Sequence, residues 1–251
     1  MNRFALGPWR TAGGLLFKPL FVKINQGSKL IKGRSTRLHP EGYRFLAIFL
    51  LVSLALYWLW PPLGGVGLLA SLWCAYFFRD PERLAPDVPG VLLAPADGVV
   101  LPLVKVTPPV ELEMGEGPLY RISIFMNVFN VHVNRVPASG RIVKLTYVPG
   151  KFINASFDKA SEFNERQLVA MECEEGGKVG FVQIAGLVAR RIVCHLEEGQ
   201  EVTAGERFGL IRFGSRVDVY LTGAFEPAVG KGQKTTAGET VLARLKVAEA
   251  V

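Results

Sequence analysis

A mainly β fold, a compact barrel or sandwich behind an N-terminal helical membrane hairpin, is what this 251-residue sequence predicts. Three observations predict it. Residues 91–251 are rich in Val, Ile, Gly and Pro, in short alternating runs broken by turn residues. Two turn phrases in that region are each used twice. Ahead of it lies an uncharged apolar run from Phe45 to Phe78, divided by Pro61-Pro62.

The first element, residues 1–44, is a basic membrane-surface segment. Nine Lys and Arg against Glu41 give it +8, while the whole chain carries +7, so residues 45–251 sum to −1. A nearly neutral folded part argues against a nucleic-acid-binding domain, which would carry a basic face. A basic segment next to a membrane suits anionic lipid headgroups. Cys74, Cys173 and Cys194 are scattered, which fits a reducing compartment and neither a disulfide framework nor a zinc site.

The second element, residues 45–78, is the hydrophobic hairpin. As one helix it would exceed the ~20 residues that cross a bilayer. Pro61-Pro62 breaks it, because proline removes donors and disfavours helix at the residue before it. Arg37 and Arg44 precede the run and Arg79 and Arg83 follow it, placing both ends on the cytoplasmic side. Trp58, Trp60, Trp73 and Tyr76 suit interfacial depths. The alternative is a buried helical pair in a soluble core.

The third element, residues 79–251, is a β-rich domain. Strand-like runs are "GVVLPLVKV", "YRISIFM", "RIVKLTYV", "KVGFVQIAG" and "ARRIVCHL", with a helix or irregular insertion near "NASFDKASEFNERQ". "PADGVV" at 95–100 echoes "PASGRI" at 137–142, and "GQEVTAGE" at 199–206 echoes "GQKTTAGE" at 232–239. Phrases of the second kind set up hairpins like those of lipoyl and biotinyl carrier folds, and pseudo-repeated β-units follow. The plainer reading is that similar turns reuse similar residues.

Several residues could carry chemistry. "GLIRFGSRVDVYL", residues 209–221, reads as one half-buried strand with Gly214-Ser215 in its middle. The Ser215 hydroxyl could attack the Gly214 carbonyl, since glycine permits both the approach and an unusual backbone. Elimination and hydrolysis of the resulting ester would leave a pyruvoyl group at a new N-terminus. That chemistry needs a base and an oxyanion donor; a β-bulge with an exposed serine is the alternative.

His132 lies in "FMNVFNVHVNRVPASG", read as an apolar strand with Asn130, His132 and Asn134 on one face. A purely structural histidine is the alternative. His39 sits in the basic segment and His195 beside an exposed turn. Asp97, in "PADG", is where Asp ordinarily bonds its own backbone; Asp158 and Asp218 are further carboxylates. "FDKAS" holds the Asp-Lys-Ala of lipoylated lysines, so a lipoyl- or biotinyl-type carrier modified at Lys159 is the alternative function, and a non-enzymatic membrane scaffold a third. There is no nucleotide fingerprint and no metal-ligand spacing.

"FFRDPERLAP…LLAPADGVV", "NVFNVHVNRVPASGRIVKLTYVPGKFINA", "FDKASEFNERQ", "QIAGLVARRIV" and "GERFGLIRFGSRVD", in that order, resemble the phosphatidylserine decarboxylases in their short bacterial form. The resemblance covers about Phe77 to Leu245. It implies a proenzyme that cuts itself between Gly214 and Ser215. Ser215 becomes the pyruvoyl cofactor of a small subunit, 215–251, paired with a membrane-associated large subunit, 1–214. Phosphatidylserine would lose CO2 through a Schiff base, giving phosphatidylethanolamine at the cytoplasmic face of a bacterial cytoplasmic membrane. Self-association is compatible with this.

Asp97 and His132 match the family's processing positions. Longer relatives carry a second histidine three residues on, where this chain has Arg135. Either His132 serves both steps, or Arg135 takes the substrate carboxylate. His132 is the candidate proton donor, because histidine titrates near neutral pH.

Overall fold

The computed structural model describes residues 36–157, 160–187, 191–212 and 214–246. Most of the basic segment, together with Asp158 and Lys159, lies outside the described residues.

Strands β1 (Thr36–Leu38) and β2 (Arg79–Pro81) pair at the foot of two helices, α1 (Pro40–Leu59) and α2 (Pro61–Phe77). Helix α1 starts earlier than the apolar run does. Pro40 is pre-set for a first helical turn, and His39 caps it by accepting the Glu41 N–H at 3.3 Å. Trp60, extended at φ −162°, ends α1, and Pro61 opens α2. The helices touch closely: Ser53 Oγ donates to the Gly64 carbonyl at 2.9 Å. Their outer faces stay bare, with Trp58 84% exposed and only 11% of the apolar window of α1 buried. A helix in a soluble core would be mostly covered. Phe77, Phe78 and Cys74 plug the foot against Leu210.

The domain beyond pairs its named strands antiparallel among the described residues, and one isolated bridge, Lys151 to Asn164, is parallel. Its first strands are β3 (Val91–Leu93), β4 (Gly98–Val100), β5 (Val104–Val106), β6 (Leu119–Met126), β7 (Val133–Arg135) and β8 (Gly140–Val148). A single turn, α3 (Ala160–Phe163), precedes β9 (Arg166–Cys173), β10 (Lys178–Ala185), β11 (Ile192–Cys194) and β12 (Glu201–Val202). Then come β13 (Arg207–Ile211), β14 (Ser215–Leu221), β15 (Phe225–Pro227), β16 (Lys234–Thr235) and β17 (Val241–Leu245).

The large sheet runs β12-β8-β9-β10-β14-β6-β4-β16, with β5 also on β6. Two small sheets, β11-β13-β7 and β15-β17-β3, stand apart from it in pairing. Alternation along β14 sends Val217, Val219 and Leu221 into a core shared with Phe208 of β13, Leu242 of β17 and Ile122 and Ile124 of β6. Arg216, Asp218 and Tyr220 take the opposite face. There Tyr220 packs with Leu112, Ala160, Leu168 and Val182.

Two expected strands are corrected. Residues 209–221 are two strands in different sheets, β13 and β14, so Gly214-Ser215 is the junction between sheets and not a flaw inside one strand. Residues 127–132 are not strand: Asn127 and Asn130 close a tight turn, with Asn130 N–H on the Asn127 carbonyl at 3.0 Å. His132 therefore does not share a regular strand face with Asn130.

The sequence echoes occupy matched places. Gly98 of β4 pairs with Thr235 of β16, and Gly140 of β8 pairs with Val202 of β12. Gly238 N–H donates to the Ala94 carbonyl, and Gly205 N–H to that of Val136, both at 2.8 Å. Leu93 N–H reaches the Pro137 carbonyl and Arg135 N–H that of Pro95, so the two phrases clasp each other.

Candidate active site

Ser215 begins β14, with Ala185 of β10 on one side and Met126 of β6 on the other. It is fully buried. Its hydroxyl donates to the Met126 sulfur at 3.3 Å, a weak acceptor that leaves the oxygen lone pairs uncommitted. Gly214 is in the left-handed region at φ +63°, where a Cβ would meet nothing within 4 Å. Conformation, not space, therefore selects glycine here. Across the junction space decides: a Cβ on Gly186 would lie 1.9 Å from the Gly214 carbonyl oxygen. Two glycine backbones thus meet at the carbonyl next to the serine.

His132 is fully buried, its Nδ1 3.0 Å from the Asn130 carbonyl. A carbonyl only accepts, so Nδ1 carries the proton and Nε2 presents a bare lone pair. That Nε2 is buried and has no hydrogen-bond partner among the described residues. The ring lies on Phe77 with centroids 4.2 Å apart, which joins the foot of α2 to the histidine. Its backbone carbonyl accepts the Ile211 N–H, three residues ahead of Gly214. Burial pushes the His132 pKa down to about 4; the Asn130 carbonyl opposes this and the charge of Arg79 adds to it. Protonating the ring in place costs about 3 kcal/mol more than in water. Burial thus favours the neutral imidazole at pH 7.

Asp97 accepts the Ala237 N–H at 2.7 Å and pairs with Arg83 at 2.9 Å. Burial raises its pKa, while Ala237, Arg83 and Arg79 pull it back down. No hydrogen bond joins Asp97, His132 and Ser215 among the described residues. What links Asp97 to His132 is the field of Arg79, which favours the anion of one and the neutral form of the other. Arg79 is held over the Tyr76 ring and donates to the Phe129 carbonyl at 2.8 Å.

Arg135 is buried and its guanidinium is engaged by the Gly205 carbonyl at 2.8 Å, the Pro81 carbonyl at 2.9 Å and Asp80 at 3.5 Å.

Three features were not singled out from sequence. Gly186 looked like any strand-end glycine. Gln183, fully buried, donates to Asn134 at 2.8 Å, and Asn134 in turn approaches the Met126 sulfur that Ser215 touches. Arg216 makes a two-pronged pair with Asp218, at 2.5 and 2.7 Å, and also bonds Ser161 Oγ. Alternation in "SRVD" could have placed Arg216 and Asp218 on one face; their partner Ser161 is too far along the chain to be read.

A mainly β protein of several sheets, with a buried serine directly after a left-handed glycine, is the class that fold and site define. The chain belongs to the phosphatidylserine decarboxylase family, whose sequence model matches residues 70–243. It is 52% identical over 220 residues to the phosphatidylserine decarboxylase proenzyme of Nitrobacter winogradskyi, covering 88% of this chain and 89% of that one. The proenzymes of Beijerinckia indica and Paramagnetospirillum magneticum are 55% and 56% identical, over 85% and 84% of this chain and 91% and 88% of theirs.

Proposed function

We propose that this chain decarboxylates phosphatidylserine to phosphatidylethanolamine, after cutting itself between Gly214 and Ser215. The observation that carries the self-cleavage is the buried Ser215 hydroxyl behind a left-handed Gly214 whose carbonyl abuts Gly186. Attack of Oγ on the Gly214 carbon closes a five-membered ring. The adduct then collapses with loss of the C–N bond, and the proton taken from the hydroxyl passes to the Ser215 nitrogen, leaving the Gly214 ester and a free amine. His132 Nε2 takes the hydroxyl proton, directly or through one water. Asp97 offsets the Arg79 charge that opposes the imidazolium. Loss of the Cα proton and of the Gly214 carboxylate leaves dehydroalanine, and water releases ammonia from it.

The residues fit a keto-acyl group at position 215, because the strand end is enclosed and Met126 and Ala185 fix its neighbours. Once formed, that group supplies the electron sink for loss of CO2. We assign to His132 the return of a proton to the substrate carbon. Arg135 is already satisfied by two carbonyls and Asp80, so both proton roles fall to His132.

The bare helices α1 and α2 support seating in the cytoplasmic membrane from its cytoplasmic face, with Arg79 and Arg83 at the interface. A substrate with two acyl chains stays in the bilayer, so the site must be held there. The matched hydrogen bonds around the echoed phrases support pseudo-repeated, carrier-like β-units. A carrier modified at Lys159 is not favoured, since the relatives are named as decarboxylase proenzymes. The test is a denaturing gel paired with CO2 release from carboxyl-labelled phosphatidylserine vesicles. Wild type gives two fragments and CO2, and Ser215→Ala gives one band and none. An active single-chain wild type overturns the reading.

A further inference from the structure

We propose that the foot of the helical hairpin is part of the self-cleaving machinery, and that Arg212 is the positioning residue through which it holds the scissile junction. This rests on the self-cleavage reading. Arg212 stands just ahead of the junction, where the chain has left β13 and not yet joined β14. Sheet pairing does not fix the backbone there, and the Arg212 N–H reaches the Arg191 carbonyl only at 3.4 Å. The side chain does the holding. Its guanidinium pairs with Glu41 in the first turn of α1 and lies 5.0 Å from the centre of the Phe45 ring, one turn further along the same helix. Both partners belong to the hairpin and neither to the sheets. The side chain is 17% exposed, and its Nε is buried with no hydrogen-bond partner among the described residues. The group is therefore not placed to satisfy all its donors; Glu41 and the Phe45 face set where it sits.

The same foot holds the base. Phe45 stacks on Phe78 with ring centres 5.3 Å apart, Phe78 meets Phe77 edge-on at 5.0 Å, and Phe77 lies 4.2 Å from the His132 ring. A run of packed rings thus joins the guanidinium beside the junction to the imidazole assigned the Ser215 proton. Leu210, near the end of β13, packs with Phe77 and Phe78 in that cluster.

Close-packed rings cannot slide past one another without overlapping or opening a void. The run therefore fixes the separation between the base and the start of the junction. Attack inside a buried site tolerates little error, since a displacement of about 1 Å costs about 100-fold. The sheets place Ser215, and the hairpin foot places the two groups that must meet it.

The test follows cleavage of full-length precursor, freshly translated into phosphatidylcholine–phosphatidylglycerol vesicles, on denaturing gels. Arg212→Gln should slow cleavage about tenfold, and Glu41→Gln should act in the same direction. The two together should be no slower than Arg212→Gln alone, because they break one clamp. Arg212→Lys keeps the charge but cannot lie flat on the Phe45 ring, and should stay within about threefold of wild type. Thermal melts of the same variants carrying Ser215→Ala read stability separately. Arg135→Leu, which loses bonds to Gly205, Pro81 and Asp80, is the comparison: its melting temperature falls while cleavage stays within about threefold. If Arg212→Gln folds poorly, Arg212→Lys combined with Glu41→Gln carries the same cycle. Wild-type rates in Arg212→Gln and Glu41→Gln, slowing that simply multiplies in the double variant, or rates that follow melting temperature through every variant would each overturn the clamp. Wild type that never cuts would instead overturn the self-cleavage reading, and the clamp with it.

Discussion

The two echoed units, 93–100 with 232–239 and 135–142 with 199–206, make matching backbone bonds, and two of the side chains at which they differ are instructive. Where one has Asp97 accepting the Ala237 N–H at 2.7 Å, the other has Ser139 accepting the Ala204 N–H at 3.1 Å. Where one has Leu93, the other has the buried Arg135. A neutral hydroxyl is enough to hold the turn. The negative charge of Asp97 adds what Ser139 lacks, a pairing with Arg83 at 2.9 Å and a field that reaches Arg79, although burial raises its pKa.

The sharpest way to break this contrast is to give one unit the other's residue. Asp97→Ser should keep the turn and lower the melting temperature by leaving Arg83 without that partner, while precursor cleavage slows by about 10³-fold on gels of freshly translated chain. Cleavage at the normal rate would make Asp97 as structural as Ser139. Next in size is Gly186→Ala, which forces the Gly214 carbonyl to move. Cleavage should fall about 100-fold, as for a reacting group displaced by about 1 Å.

A smaller effect concerns pH. The folded pKa of His132 is lowered to about 4, so between that value and an unfolded value near 6.5 the unfolded chain binds more protons. The contribution of His132 to stability is therefore full above about 6.5 and is lost as pH falls toward 4. Cleavage should stay level down through pH 6 and fall only on approaching 4; a midpoint at 6.5 would contradict the buried base. Phe77→Ala wets the ring and should move that fall upward. Smallest of all, Arg135→Leu, which copies the other unit, should change cleavage less than about threefold. It should lower stability by about 1–3 kcal/mol through lost bonds to Gly205, Pro81 and Asp80 in thermal melts.

The sequence made some of this plain and hid the rest for physical reasons. Gly214-Ser215, Asp97 and His132 sit in local phrases whose resemblance is carried by neighbours in the chain. The echoed phrases were visible for the same reason. The change of sheet from β13, ending at Ile211, to β14, starting at Ser215, was hidden, because alternation runs through 209–221 and period alone cannot say which sheet a residue joins. The Asn127–Asn130 turn was masked by the Val and Phe around it. Gly186, Gln183 and Ser161 become meaningful only through partners brought close by folding, at Gly214, Asn134 and Arg216.

Self-cleavage at a serine is the claim on which the account turns, and intact-mass spectrometry of active enzyme addresses it most directly. The account predicts a fragment spanning 215–251 that is lighter by one ammonia than the same peptide with a free N-terminal serine. A full-length chain, or a small fragment that still begins with an ordinary serine, in material that releases CO2 from phosphatidylserine would contradict it.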